Sequence, residues 1–354
     1  MNEPPPDFRR LACPVPVTTG PTVQMAHGGG GRMSKALTDR VFLPAFRNDA
    51  LAAMHDGATL ARPAGRIAFT TDTYVVRPIF FPGGDIGSLA VHGTVNDLAM
   101  CGARPLALST GYLLEEGFPL ADLERVVASM RDAALRAGVP IVTGDTKVVD
   151  RGKGDGVYVN TAGLGVVPDG VEIAPTRVRP GDRVLLSGGI ALHGIAILSV
   201  REGLAFEAAI ESDSAPLYDL VAAVLAAGGP GVHVMRDPTR GGVASATNEL
   251  ALSAGVGMVL DERAVPVRED VRGACELLGL DPLYVANEGK MLAIVAPEVA
   301  EAVLAAMRGH PLGREAAVVG EVTQGPAGRV TVRSRVGGTR LLDMMSGEQL
   351  PRIC

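Results

Sequence analysis

The sequence predicts an α/β protein with mixed sheets in two domains, and three observations carry that prediction. Its 354 residues exceed what one hydrophobic core commonly organises. Short Val/Ile/Leu-rich runs alternate with longer stretches of helical spacing in both halves of the chain. Forty-five glycines, 4% aromatic residues and no Trp suit slim strands and helices joined by tight turns. A β-sandwich would carry more aromatics, and a coiled coil would not tolerate so much glycine.

Residues 1–26 are proline-rich and aperiodic, and read as a loose arm. His27 to Arg32 (HGGGGR) is a glycine loop, followed by a helix from Ser34 to Val41. Arg66 to Thr71 is a short strand ending on Asp72, Ile86 to Met100 a buried helix, and Pro105 to Leu114 another strand. Apolar residues at 120, 123, 126, 127, 130, 134 and 135 give a helix to Ala137, stopped by Gly138 where a C-terminal glycine belongs. Val139 to Thr143 is a strand ending on Gly144 and Asp145, and Val157 to Val167 alternates as a strand should.

Prolines 168, 175 and 180 mark a junction, so the domains are expected at 27–167 and 168–345. Beyond it the alternation resumes. Strands are expected at 184–186, 232–235, 257–261, 291–295 and 317–322, with helices at 190–202, 217–227, 241–254 and 271–278. Residues 346–354 lack periodicity and read as a mobile tail.

Composition narrows the function. The net charge of −6 and the absence of a basic block argue against nucleic acid as a partner. Four cysteines without a C-x-x-C pair exclude a disulfide framework and a zinc knuckle. Apolar windows are broken by Ser and Gly, and the first ten residues do not read as a secretory signal. A soluble cytoplasmic protein is expected.

The usual nucleotide motifs are missing: there is neither G-x-x-x-x-G-K-[ST] nor G-x-G-x-x-G between strand and helix. Instead, Asp72 (TTD), Asp97 (GTVNDL) and Asp145 (TGDTK) stand at places where a sheet presents side chains to a crevice. Converging carboxylates repel one another unless a cation lies between them. Mg²⁺ carried by a nucleotide suits a few carboxylates plus phosphate oxygens. Each Asp alone reads rather as a helix cap or a turn residue. Together with Gly28, Gly29, Gly30, Gly31 and Lys147 they favour a metal–phosphate site. Asp237 opens DPTRGG before a helix, which reads either as an anion site or as a capped start. Glu288 in NEGK is a candidate proton handler, or a turn residue. The final residue, Cys354, ends a nine-residue stretch that reaches at most about 30 Å, enough to swing a thiol between a partner and a crevice, although on its own it reads rather as an incidental exposed cysteine. Arg352 offsets part of the carboxylate's effect on that thiol.

These segments line up with a known family. HGGGG (27–31), TTD (70–72), FFPGGDIG (80–87), GTVNDLAM (93–100), GDTKVV (144–149), RDPTRGG (236–242), NEG (287–289) and the PRIC end occur in order, and the chain resembles the HypE hydrogenase maturation proteins. These lie within the aminoimidazole ribonucleotide synthetase (PurM-like) superfamily. The resemblance runs from about His27 to the last residue. It implies a homodimer joined through the N-terminal domains that binds ATP with Mg²⁺ in their sheet region. ATP, consumed to ADP and phosphate, dehydrates a carbamoyl group on Cys354 to a thiocyanate, whose cyanide goes to the iron of a [NiFe]-hydrogenase. Partners are then a HypF-like carbamoyltransferase and a HypC–HypD-like iron scaffold. Cys354 becomes the carrier, Lys147 and Glu288 the pair for activation and proton removal, and Asp72, Asp97 and Asp145 the metal ligands. Asn96, Thr143, Gly144 and Asp237 join the glycines and these acids around the nucleotide. One alternative is a non-catalytic carrier with a regulatory ATP site. Another is a selenophosphate synthetase, which would need a reactive residue near the glycine loop; Cys13 with its flanking prolines does not match and leaves Cys354 unexplained.

Overall fold

The structure, a computed structural model, describes residues 20–54, 56–61, 63–204, 210–344 and 352–354. Cys13 and most of the stretch read as a tail lie outside the described residues. Helices α1 (Arg32–Leu37), α2 (Leu43–Phe46) and α3 (Asp49–Ala52) precede a first α/β layer. That layer comprises β1 (Arg66–Tyr74), the short β2 (Phe80–Phe81) and β3 (Gly84–Asp85), α4 (Ile86–Met100), β4 (Arg104–Glu115), α5 (Leu120–Arg136), β5 (Ile141–Val149) and β6 (Val157–Val167). Its main sheet runs β1-β6-β4-β5, antiparallel except for the parallel pair β4–β5.

After a turn at Pro175–Arg177 come β7 (Arg183–Leu186), α6 (Leu192–Arg201), α7 (Tyr218–Gly228), β8 (Val232–Arg236), α8 (Gly242–Ala254), β9 (Gly257–Asp261) and α9 (Glu269–Leu278). They are followed by β10 (Leu292–Val295), α10 (Ala300–Gly309), β11 (Ala317–Thr323), β12 (Val330–Arg333) and β13 (Thr339–Leu341). The second sheet is ordered β13-β12-β9-β11-β7-β10-β8.

Helix α4 joins the two layers. Asp85 starts it, accepting hydrogen bonds from Gly87 N and Ser88 N at 2.7 and 3.0 Å, which satisfies donors that a helix start leaves orphaned. The helix is buried on almost every side because it packs on β1, β6 and α5 and also reaches α7 and β8. Gly93 allows the close approach: a Cβ there would stand 2.1 Å from the Tyr74 hydroxyl.

Along β1, β4 and β6, alternate side chains face this helix layer and are buried, while the opposite face lies open. Ile67 and Phe69 on that open face are 57% and 68% exposed, an unusual surface for two large apolar residues on neighbouring rungs.

Several expectations change. Asp72 and Asp145 do not end their strands, since β1 continues to Tyr74 and β5 to Val149. The helix expected at 34–41 is a short α turn that widens into a π turn at Thr38–Phe42. The C-terminal part of the supposed loose arm is fixed: Val23 is buried, its N–H donates to Phe118 O at 2.7 Å, and its carbonyl accepts from Gly117 N at 2.8 Å. Residues 352–354, read as part of a mobile tail, are packed into the first core, with Ile353 4% and Cys354 9% exposed.

Candidate active site

Residues 352–354 lie beside Val75 to Arg77, joined to them by backbone hydrogen bonds. Val75 N donates to Cys354 O and Arg77 N to Arg352 O, both at 3.2 Å. Arg352 takes a left-handed backbone (φ +55°), a strained choice for a residue with a Cβ. Its side chain holds it there: Nε donates to Val75 O at 3.0 Å and Nη1 pairs with Asp155. Arg201 Nη2 donates to Arg352 O at 2.8 Å. His193, fully buried, donates from Nε2 to Ile353 O at 2.8 Å while its Nδ1 accepts from Ser212 Oγ at the same distance. Burial holds this imidazole neutral, the form able to do both at once.

The sulfur ends in a polar crevice between the layers. Arg240 Nε donates to Cys354 Sγ at 3.2 Å. Burial, then the Glu288 carboxylate, push the thiol up to about 12, with Arg240 opposing. Arg240, not Arg352, is therefore the cation that meets the sulfur. Glu288 is 3% exposed and its Oε1 has no hydrogen-bond partner among the described residues. Burial and then Asp237, Asp213 and Asp72 raise its pKa well above the carboxylate range. Asp237 rises to about 7 through burial and then Asp97. Asp97 itself is raised by burial, against a hydrogen bond from Thr70 Oγ1 at 2.8 Å. Asp237 is no helix cap, because Gly241 occupies that position before α8.

Two asparagines hold this crevice together. Asn287 accepts from Ala191 N and donates to Pro238 O and Val285 O, at 2.7 to 3.0 Å, so Glu288 and the 237–242 turn keep a fixed relation. Asn96, placed by resemblance at the nucleotide, is 1% exposed. Its side chain is spent on Leu217 N, Ala215 O and Glu288 O.

The remaining predicted residues gather elsewhere. Lys147 pairs with Asp145 on edge strand β5, at 2.5 Å, and both side chains are largely exposed. They join His27, Gly28, Gly30, Thr143 and Gly144 around a cavity of about 200 Å³ with apolar walls including Phe42, Leu37 and Ile141. Gly28 packs so tightly that a Cβ would stand 2.4 Å from Val148 N, whereas Gly30 and Gly31 face open space. The arrangement offers an apolar slot for a heterocycle with a glycine and lysine rim for phosphates.

Asp72 lies on β1 and Asp145 on β5, the two edges of the four-stranded sheet. That is three strand spacings, about 14 Å. Their register rows also differ by one residue, so they face opposite sides. The three acids thus do not form one ligand set within one copy, and among the described residues no cluster of three His, Cys, Asp or Glu could enclose a metal. Cys354, Glu288, Asp72, Asp97 and Asp237 come together; Lys147, Asp145, Thr143, Gly144 and the glycines form a second group. An open trough of about 670 Å³ on the sheet face is lined by Asp145 and Lys147 of the second group and by Thr73, Val75 and Arg352 across the sheet. Sequence reading missed Arg240, although it is the central cation of DPTRGG, and missed the clamp of Asp155, His193 and Arg201, which no motif marks.

Comparison with known proteins identifies the family and the fold. Residues 54–167 match the AIR synthase related protein N-terminal domain and residues 179–333 its C-terminal domain. A relative from Azotobacter vinelandii, the carbamoyl dehydratase HypE, is 59% identical over 333 residues, covering 94% of this chain and 97% of its own. A crystal structure of the hydrogenase maturation protein HypE in complex with ATP superposes with a TM-score of 0.91 at 50% identity, covering 94% of this chain and all of the other. HypE in a crystallised HypE–HypF complex superposes at 0.77 with 46% identity, over 88% of this chain and all of that one. Among the described residues no helix is long and apolar enough to cross a membrane. On near-full-length identity and a shared two-sheet fold, the chain belongs to the HypE family of carbamoyl dehydratases, within the AIR synthase related proteins.

Proposed function

We propose that this chain dehydrates a carbamoyl group carried on Cys354 to a thiocyanate, at the expense of ATP, in the maturation of [NiFe]-hydrogenase. The observation that carries the reading is the docked sulfur, with Arg240 on one side and the buried, unpartnered Glu288 close by. A buried carboxylate whose pKa is raised above the ordinary range is a stronger base than a free one, and the group on the sulfur must lose its N–H protons. Cys354 is the carrier, and Glu288 takes a proton from the carbamoyl nitrogen.

The β5 cavity supports ATP binding, with Gly28 to Gly31, Thr143 and Gly144 against the nucleotide and Lys147 toward its phosphates. Magnesium fits as an ion arriving with the nucleotide. Asp72 raises the pKa of Asp97, and Asp97 and Asp72 both raise that of Asp237, so a cation would relieve their repulsion, and phosphate oxygens would complete its shell. Asp145 would contribute from the nucleotide side. A homodimer closed over the open sheet face would cover Ile67 and Phe69 and bring the β5 group of one copy toward the β1 crevice of the other. Residues 27–167 are then the nucleotide and dimer domain, and 168–345 the domain that supplies Glu288 and Arg240. A HypF-like carbamoyltransferase loads the cysteine, a HypC–HypD-like scaffold receives the cyanide, and the cytoplasm is where such partners meet it.

The test follows the mass of the peptide ending in Cys354. After loading from carbamoyl phosphate, ATP converts the carbamoyl peptide to thiocyanate in the parent protein. In Glu288→Gln the carbamoyl form accumulates, with conversion slowed on the order of 10² to 10⁴. Conversion at the parental rate removes Glu288 as the base. ADP formation that ignores the state of Cys354 favours a non-catalytic carrier instead.

A further inference from the structure

The cations around Cys354 are nearly all committed elsewhere. Arg352 is held by Asp155 and Val75 O. Arg236 pairs with Glu249 on α8 at 2.5 Å. Lys290 stands 3.2 Å from Asp213, and Lys147 is on β5 with Asp145. Arg240 is the exception. It sits in the turn between β8 and α8, ahead of Gly241 and Gly242, both with positive φ. Its Nε faces Cys354 Sγ at 3.2 Å, while Nη2 is 3.5 Å from Asp72 Oδ1, at the outer limit of a hydrogen bond. Two thirds of its side-chain surface is open, at 67%. The fork therefore has one end on the carried sulfur and another only loosely engaged, on the side of the acid cluster.

We propose that Arg240 is a further catalytic residue of the dehydration: it grips the oxygen of the group carried on Cys354 and balances the charge that gathers there. This rests on the dehydratase reading above. The carbamoyl oxygen is two bonds from Sγ, so a donor at 3.2 Å from sulfur reaches it with a small side-chain adjustment. Glu288 offers an acceptor for the nitrogen. A donor for oxygen and an acceptor for nitrogen together select a primary amide over a bare or alkylated thiol.

The carbamoyl oxygen bonds to the γ-phosphorus as the bond from that phosphorus to the bridging oxygen of ADP breaks, and one N–H proton leaves to Glu288. The second N–H proton then departs and the carbon–nitrogen triple bond closes. The carbon–oxygen bond breaks with its electron pair going to phosphate, which carries the oxygen away. One of the two protons ends on phosphate and the other is released, so no oxidant or reductant is consumed. Negative charge builds on the oxygen as the carbon–oxygen bond breaks, where a guanidinium fixed beforehand acts most strongly. Arg suits the position because its planar fork can hold the oxygen and Asp72 together, which a single ammonium cannot.

The experiment is single-turnover conversion of carbamoyl-loaded protein by Mg-ATP, read from the mass of the peptide ending in Cys354, with Mg-ATP affinity measured alongside. Arg240→Gln is expected to slow conversion about 10²-fold, the usual cost of losing one donor at a developing charge, while Mg-ATP affinity stays within about threefold. Arg240→Lys, which returns the charge without the fork, is expected to lie between the two and guards against a misfolded Gln variant. Conversion at the parental rate in Arg240→Gln overturns the proposal, and so does a loss of affinity equal to the loss of rate, which would make Arg240 part of the nucleotide cradle. If the loaded parent protein itself forms no thiocyanate, the dehydratase reading fails first. Arg240→Gln must then still raise the pH at which Cys354 ionises, and an unmoved titration removes the Arg240–sulfur contact as well.

Discussion

Raising the pH should drive the Cys354 thiol out of its crevice. When docked, its pKa moves from 9.0 to about 12, and the causes are burial, the facing Glu288 and Asp72, with Arg240 pulling the other way. A rise of about three units corresponds to roughly 4 kcal/mol of difference between the two protonation states. A free thiol titrates near pH 8.5. Docking is therefore at full strength below about pH 8.5, weakens about tenfold per unit above it, and the loss is complete near pH 12. The observable is the thiolate absorbance of a protein in which Cys13, Cys101 and Cys275 are Ser. Its apparent pKa equals the free value plus the logarithm of one plus the docking constant, so a constant of about 10² gives a shift of about two units. Asp155→Ala releases Arg352 and lowers the docking constant, so the apparent pKa falls back toward the free value. Hydrogen exchange at Val75 and Arg77, whose N–H groups donate to residues 354 and 352, reports docking independently. Protected amides alongside a thiol that titrates as a free one would refute the reasoning.

Asp145→Asn removes the carboxylate while keeping its shape, and is expected to weaken Mg-ATP binding in calorimetry; unchanged affinity would leave Asp145 as a partner of Lys147 and nothing more. The same change at Asp72 and Asp97 shows whether acids from both sheet edges serve one bound nucleotide. Gly28→Ala places a Cβ 2.4 Å from Val148 N, so the glycine loop must lift from β5. ATP affinity is expected to fall at least tenfold with a loss of stability of about 1 to 3 kcal/mol, as for overpacking, checked by calorimetry and thermal melting.

The elements most legible in the sequence are those whose burial follows a period. Helix α5 buries Leu120, Leu123, Val126, Val127, Met130 and Ala134, as the spacing predicts, whereas Leu135 faces outward and is 72% exposed. The sequence ends this strand on Gly144 and Asp145, yet β5 continues through them to Val149, which is tolerated because β5 is an edge whose face is open. Helix α10 and strands β12 and β13 were not foreseen, and the last two are short pieces made stable by pairing with β9 and with each other. The docking of Ile353 and Cys354 was invisible for a different reason. Their partners at Val75 to Arg77 lie far away in sequence, and no local pattern encodes such a pairing. Of the candidate residues, motif reading found both groups, yet it joined Asp72 and Asp145 in one set that register places on opposite edges.

In the proposed carrier role, the same desolvation sets where the Cys354 sulfur can react. A thiol held near pKa 12 carries almost no thiolate at neutral pH and is a poor nucleophile in its docked position. Loading is therefore favoured where the thiol meets water and a partner, outside the crevice. Once it carries a carbamoyl group the sulfur has no proton to lose, and the ionisation penalty that weakens docking of the bare thiol at high pH disappears. The loaded segment enters on its remaining contacts, with Ile353 in the core and the clamp of His193, Arg201 and Asp155 around it. Burial that disarms the thiol simultaneously raises the pKa of Glu288 above the carboxylate range, which makes its carboxylate a stronger base toward the group that has arrived. In the proposed sequence, the surroundings of the docked sulfur thus disfavour the first reaction and equip the second.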